Sequence, residues 1–325
     1  MNFNKKVLFI APKFYNYHTQ IIEELKFEGY NVTFYPEMEH SLLYRISNTL
    51  SKKLNNYLTQ KYIDEILQST TQNEYDVFFV IRGGYFSAEW LEKLRLKLPK
   101  TKFLMYQWDS TKQNNYLPLI KHFDRVQTFD MVDAKEYNLD YLPLFYTKQY
   151  KDLTQKKKIK KYDLVFFGAY HSDRLEVIKH MEKLFKENGL SFKYHLFISK
   201  LALFRLLLTR VIGFNELHFF KTYSVPSDEI IETYKETTAV LDIELSIQNG
   251  LTIRTFETLG ANLKLVTTNE KIKKEIFYNT DYIMCIDRKN IKIDLDFFKK
   301  EKKIDNNFEE FYLESWLNKI FKGIS

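Results

Sequence analysis

Short apolar segments alternate with helical stretches along the chain, and the alternation restarts once after residue 160, which constrains the fold more than any other feature. KVLFIAP, NVTFYP, YDVFFVIRG, KFLMYQW and RVQTFD read as strands of the first half. Between them lie helical stretches such as His18 to Phe27, Tyr57 to Gln68 and Glu89 to Leu96. Strands separated by helices build a parallel sheet covered on both faces. The basic, apolar-poor run TQKKKIKKYD then interrupts the pattern. After it, YDLVFFGAYHSDRLEVIKHMEKLF repeats the layout of KKVLFIAPKFYNYHTQIIEELKF: strand, aromatic loop with a histidine, amphipathic helix. SFKYHLFI, AVLDIEL, LKLVTTN and YIMCID continue as strands of a second sheet.

A chain of 325 residues is also too long for one ordinary core. The expectation is an α/β protein of two tandem Rossmann-like doubly wound parallel-sheet domains with an interdomain cleft. Residues 1–150 form the first domain, 151–162 a basic linker and 163–309 the second domain. The amphipathic tail NFEEFYLESWLNKIF places a closing helix at 310–325.

The formal charge of +7 points to an anionic partner. Nucleic acid is excluded as that partner, because no helix-turn-helix, zinc or aromatic ribonucleoprotein signature occurs. Cys285 is the single cysteine, so neither an intrachain disulfide nor a cysteine-based zinc site can form. The start reads as a strand, Val7 to Ala11 followed by Pro12, rather than as a signal peptide. The most apolar segment, LFISKLALFRLLLTRVIGF, is interrupted by Lys200, Arg205 and Arg210, short of the ~20 apolar residues that span a bilayer. The expectation is a cytoplasmic protein. Its basic amphipathic stretches 41–68 and 196–214 can either pack on their own core or rest weakly on the anionic inner face of the cell membrane.

No strand is followed by G-x-G-x-x-G or by G-x-x-x-x-G-K-[ST], and no G-x-S-x-G elbow or zinc-spaced histidine pair occurs. Ligands of doubly wound sheets bind beyond the carboxyl ends of the strands, where helix N-termini meet phosphates. In the second domain FFGAYHSDR puts Gly168, His171 and Arg174 there. Two readings stand: a glycine that lets phosphate approach with an arginine clamping a diphosphate, or a packing glycine with a solvated arginine. In NGLTIRTFETLGANLKLVTTN, Thr252 reads as the N-cap of a helix whose buried side is Ile253, Phe256 and Leu259. Gly260 suits the left-handed residue ending that helix. Arg254 and Glu257 flank the buried side, as a surface ion pair or as ligand-binding groups. In the first domain YQWDS carries Trp108 and Asp109 past a strand end, and RGG (82–84) sets a basic residue beside two glycines for an acceptor phosphate or a turn. His18 and His171 read equally as loop histidines without a task. The DLD run, Asp294 to Asp296, has no matching strand order before it, so no metal site is expected.

The second half, from YDLVFFGAYHSDR to NGLTIRTFETLGANLKLVTTN, resembles the donor-binding half of GT-B glycosyltransferases, in particular the CgeB-like group and bacterial capsule and lipopolysaccharide transferases. APKFYNYH, IRGGYFS and YQWDS carry a less specific likeness in the first half. The resemblance implies that Glu257 binds the ribose hydroxyls of a nucleotide. It implies that Gly250, Leu251, Thr252 and Arg254 line the diphosphate and sugar beside Gly168, His171 and Arg174, and that Tyr15, Arg82, Gly83 and Trp108 face the acceptor. Many retaining members carry a glutamate eight residues before the ribose glutamate; here that position is Asn249, which shifts weight toward inversion.

The implied activity is transfer of a hexose, galactose or galactofuranose, from a UDP-sugar to a glycan or lipid-linked glycan of the bacterial surface. No cofactor or metal is expected, because arginines and helix-end amides can meet the leaving diphosphate. An inverting displacement needs a base opposite the diphosphate, and Asp109 fits at the end of a first-domain strand, with Asp130 and His18 as alternatives. A non-catalytic nucleotide-sugar-binding protein and a nucleotide-sugar epimerase are the rival readings.

Overall fold

The computed structural model describes residues 5–38, 44, 51–155, 160–171, 173–245, 247, 249–300 and 308–324. The chain divides into two compact units: residues 1–143 with 313–325, and residues 144–312. The basic run expected as a linker falls within the second unit, and its residues 156–159 lie outside the described residues.

The first unit runs β1 (Lys6–Ala11), α1 (Tyr17–Phe27), β2 (Asn31–Pro36), α2 (Lys52–Ser69), β3 (Val77–Ile81), α3 (Ala88–Lys97), β4 (Lys102–Gln107), β5 (Arg125–Thr128), α4 (Met131–Glu136) and β6 (Asp140–Tyr141). Its sheet has the order β2-β1-β3-β4-β5-β6, and every pairing is parallel. Strands such as β3, VFFVI, are buried along their whole length because helices cover both faces of the sheet. Residues 41–43 and 45–50 of the stretch 41–68 lie outside the described residues; residues 52–68 belong to α2, whose N-cap Ser51 accepts a bond from the Leu54 amide.

The second unit contains α5 (Lys148–Lys151), β7 (Tyr162–Ala169), α6 (Arg174–Glu187), β8 (Phe192–Phe197), α7 (Lys200–Leu208), β9 (Phe220–Lys221), α8 (Ser227–Lys235), β10 (Thr237–Asp242), α9 (Ile253–Gly260), β11 (Lys264–Thr267), β12 (Ile283–Cys285) and α10 (Asp296–Lys299). Its sheet is also wholly parallel, in the order β12-β11-β10-β7-β8-β9. The strand order therefore reverses between β7 and β10 here and between β1 and β3 in the first unit, the points where open sheets leave a crevice beyond their carboxyl ends.

The amphipathic tail forms α11 (Leu313–Ile320), whose Leu313, Trp316, Leu317 and Ile320 are buried. It belongs to the first unit. Trp316 meets Tyr106 of β4 edge-on at 4.7 Å, and the Arg125 guanidinium donates to the Ile320 carbonyl at 2.9 Å, satisfying an orphan helix-end acceptor.

Gly260 is not the left-handed residue after α9. It is the last residue of the helix, Ala261 is the C-cap, and Asn262 carries the positive φ of 58°. Glycine stands at 260 for a different reason: a Cβ there would run into the Tyr146 ring.

Candidate functional site

At the carboxyl ends of β2, β3 and β4 the first unit gathers Glu37, Arg82 and Asp109. Arg82 donates through Nη1 to Glu37 Oε2 at 2.7 Å and through Nε to Asp109 Oδ2 at 2.8 Å. Its φ is 76°, a left-handed value that costs a non-glycine residue about 1 to 3 kcal/mol and persists only where surroundings enforce it. Gln107 and Asn114 do so, donating to the Arg82 carbonyl at 2.6 and 3.1 Å, and Gly83 continues the turn at φ 68°. Glu37 is fully buried, bound by Arg82 and by the Gly84 amide. Burial pushes its carboxyl above the ordinary range, against the pull of Arg82. Asp109 is shifted the same way, burial again outweighing Arg82. Burial works against the charge of Arg82, but Glu37 and then Asp109 hold its pKa above the usual value. The Asp109 side chain keeps 29% of its surface exposed, and among the described residues its Oδ1 accepts no hydrogen bond.

The aromatic loop after β1 lies beside this cluster. Phe14 packs edge-on against Tyr15 at 4.7 Å and against Trp108 at 6.2 Å, so Tyr15 and Trp108 join one aromatic group. Tyr15 is exposed with φ 45°. The alternative bases sit differently. Asp130 is fully buried as the N-cap of α4, its Oδ1 accepting from the Val132 and Asp133 amides at 2.8 and 3.2 Å. His18 stacks on Phe34 at 5.3 Å in the first turn of α1.

In the second unit the switch point is built around two arginines. Arg254 Nη2 donates to the Phe167 carbonyl at 3.2 Å, and Arg174 Nη1 donates to the Ala169 carbonyl at 2.8 Å, so the two guanidinium groups hold β7 on either side of Gly168. Arg174 Nε also donates to the Ile243 carbonyl beyond β10 at 2.8 Å, and the guanidinium lies over Phe166. Arg174 is therefore only partly exposed and is held in place: it ties the start of α6 to both central strands. A Cβ at residue 168 would crowd the Phe166 ring at 2.7 Å and Arg174 Nη1 at 3.0 Å, so Gly168 admits the arginine. His171, in the same loop, is driven down to about 4, first by burial and then by the Arg174 charge, and is neutral at pH 7.

Thr252 is the N-cap of α9, as expected; its hydroxyl accepts from the Thr255 amide at 3.4 Å and donates to Asp242 at 2.6 Å. Thr255 donates to the same carboxylate at 3.0 Å, so the end of β10 fixes the first turn of α9. The loop before it is held by Asn269, which donates to the Gly250 carbonyl at 3.2 Å, and by Lys271, which donates to the Asn249 side chain. Leu251 is buried. Arg254 Nη1 bonds the Tyr234 hydroxyl at 3.0 Å and lies 3.5 Å from Glu257 Oε2. Glu257 is 1% exposed, so this is a buried pair rather than an ornament of the helix surface.

Three charged groups of this region escaped the sequence reading. Glu244, just beyond β10, bonds Arg288 Nη2 at 2.5 Å, and Arg288 Nη1 reaches the two Asp173 oxygens at 2.9 and 3.1 Å. Burial raises the Glu244 carboxyl despite Thr268 and Arg288. Glu37 in the first unit was missed as well. The signal was present: each of Glu37, Glu244 and Arg288 follows a strand end, within AVLDIEL in the case of Glu244. The DLD run makes a local turn, the Asp296 amide donating to Asp294 at 3.0 Å. Among the described residues no group of three or more His, Cys, Asp or Glu is arranged to hold a metal.

Two wholly parallel six-stranded sheets covered by helices match the two-domain GT-B fold. No protein-family model matches the chain, and no curated protein matches it in sequence. Solved structures do. An alpha-glucosyltransferase in complex with UDP and a 13-mer DNA matches with a TM-score of 0.57 at 12% identity over 88% of this chain and 87% of its own. The catalytic domain of starch synthase IV from Arabidopsis thaliana, bound to ADP and acarbose, matches with a TM-score of 0.55 at 8% identity, covering 97% of this chain and 95% of that one. A UDP-GlcNAc 2-epimerase from Methanocaldococcus jannaschii matches with a TM-score of 0.50 at 10% identity over 98% and 93%.

Proposed function

We propose that the protein is a glycosyltransferase that moves a hexose, galactose or galactofuranose, from a UDP-sugar to a growing surface glycan, with inversion and without metal. The observation that carries this reading is the pair of guanidinium groups, Arg174 and Arg254, anchored on either side of Gly168 beside the capped N-terminus of α9. Fixed cations beside a helix N-terminus at a switch point favour a diphosphate, and they stabilise it most when it departs. Glu257, on the same helix as Arg254, is the ribose ligand. Asp109 is the base, because burial raises its pKa above the ordinary carboxylate range, which makes it the stronger base, and its side chain is partly open to solvent, whereas Asp130 is closed and engaged in capping. Tyr15 and Trp108 provide apolar faces for an acceptor sugar, next to Arg82 and Gly83.

Thermal-shift titration with UDP-, GDP-, CMP- and dTDP-sugars tests the donor class, and a stabilisation confined to UDP-sugars is expected. Release of UDP only when a glycan acceptor is added supports transfer. Conversion of the donor with no acceptor present would instead identify an epimerase, and binding with neither outcome a non-catalytic nucleotide-sugar-binding protein.

A further inference from the structure

Helix α7 is apolar on both sides. Ala202, Leu203, Leu206 and Leu207 pack on the core of the second unit. Leu201, Phe204 and Leu208 share the opposite stripe and are 56, 57 and 67% exposed. The turn after the helix extends this face with Val211 and Phe214, which are also exposed. A run of large apolar side chains of this extent marks an interaction surface rather than ordinary scatter. The charges carried by the segment itself have one sign. Lys200, Arg205 and Arg210 are exposed, and no acidic residue occurs from 196 to 215. Glu216, the first acid after it, is taken by Lys179 and by the Gly213 amide.

We propose that this face docks on a membrane surface carrying anionic lipid headgroups. Leucine and phenylalanine side chains enter the boundary between headgroups and acyl chains, while the lysine and arginine stems reach outward to the phosphates. A second copy of this chain fits less well, because a two-fold contact would set Arg205 and its neighbours against the same cations with no acid to meet them. The inference rests on the transferase reading only for its purpose, which is to bring the enzyme to a lipid-linked acceptor.

Vesicle flotation of the full chain tests it, with vesicles of phosphatidylcholine alone or mixed with phosphatidylglycerol. The protein is expected to float with the mixed vesicles, less at high salt, and not with neutral ones. The double substitution Phe204→Ser with Leu208→Ser should reduce partitioning at least about tenfold, since both side chains lose their burial in lipid. Arg205→Gln with Arg210→Gln should reduce it about 30-fold, the loss of two headgroup attractions. Circular dichroism and UDP affinity of the variants should equal those of the parent. Failure of the parent to float, or undiminished flotation of the folded Phe204→Ser, Leu208→Ser protein, would overturn the proposal. So would a parent dimer in sedimentation velocity that the same substitutions dissociate, which would assign the face to a second copy. Absence of UDP binding in every variant and in the parent would sink the donor reading while leaving the flotation result standing.

Discussion

Arg82 Nε stands 2.8 Å from Asp109 Oδ2, and the same guanidinium stands 2.7 Å from the buried Glu37. One cation, at the end of β3, thus serves two carboxylates at the carboxyl ends of β2 and β4, strands that are not themselves neighbours in the sheet. Glu37 is closed to solvent and fixes the arginine, while Asp109 Oδ1 accepts no hydrogen bond among the described residues. Asp109→Asn preserves shape and can still accept from Arg82, so donor affinity should be unchanged while turnover falls about 10²-fold or more. The parent's rate should rise with pH through the raised Asp109 pKa, and this acidic limb should vanish in the variant. Near-normal turnover in Asp109→Asn, or a product that retains the donor's anomeric configuration by NMR, would remove the base from this position.

Glu257→Ala should weaken UDP binding by about 1 to 3 kcal/mol, the scale for losing a charged hydrogen-bond partner. Because Glu257 is buried against Arg254, the variant should also melt earlier. Calorimetry on protein shown to be folded separates the two effects. Unchanged UDP affinity would end the ribose assignment.

His171 gives the stability a pH dependence of definite sign. Its pKa is lowered from 6.5 to about 4 in the fold, so the unfolded chain binds its proton more readily than the folded one. The stability contributed by keeping His171 neutral is present above about pH 6.5 and is lost as pH falls toward 4. Urea titrations across this window should show a shallower decline in His171→Gln than in the parent. Parallel declines would show that other groups dominate.

On the proposed reading Arg174 and Arg254 meet the charge of the leaving diphosphate without a metal, so excess EDTA should leave turnover intact. Loss of activity on chelation and its return with manganese would contradict the metal-independent reading.

Gly260→Ala should destabilise the second unit by about 1 to 3 kcal/mol, because the added methyl meets the Tyr146 ring and one of them must shift. The penalty should shrink in a Tyr146→Leu background, a coupling that a double-mutant cycle measures through the melting temperature. Equal penalties in both backgrounds would mean that the ring can move aside at no cost.

The two-sheet architecture was legible because its causes are local. Runs such as VFFVI and VLFIA are apolar in successive residues, which suits strands buried on both faces, and Thr252 declared the start of α9 by its hydroxyl. Arg174 and Asp109 could be nominated by one rule, that ligands gather past strand ends, whereas the roles of Arg254 and Glu257 came from the GT-B resemblance. What each of them touches was not legible. Arg174 and Ile243 are 69 residues apart, Arg82 and Glu37 are 45 apart, and only the parallel pairing of β7 with β10 and of β1 with β2 and β3 brings such strand ends together. Gly260 shows the same division: the chain marks it as a place without a side chain, but the Tyr146 ring, more than a hundred residues earlier, supplies the reason. Propensity and periodicity act over a few residues and write themselves into the sequence, whereas burial and ion pairing act through space and exist only once the sheets have formed.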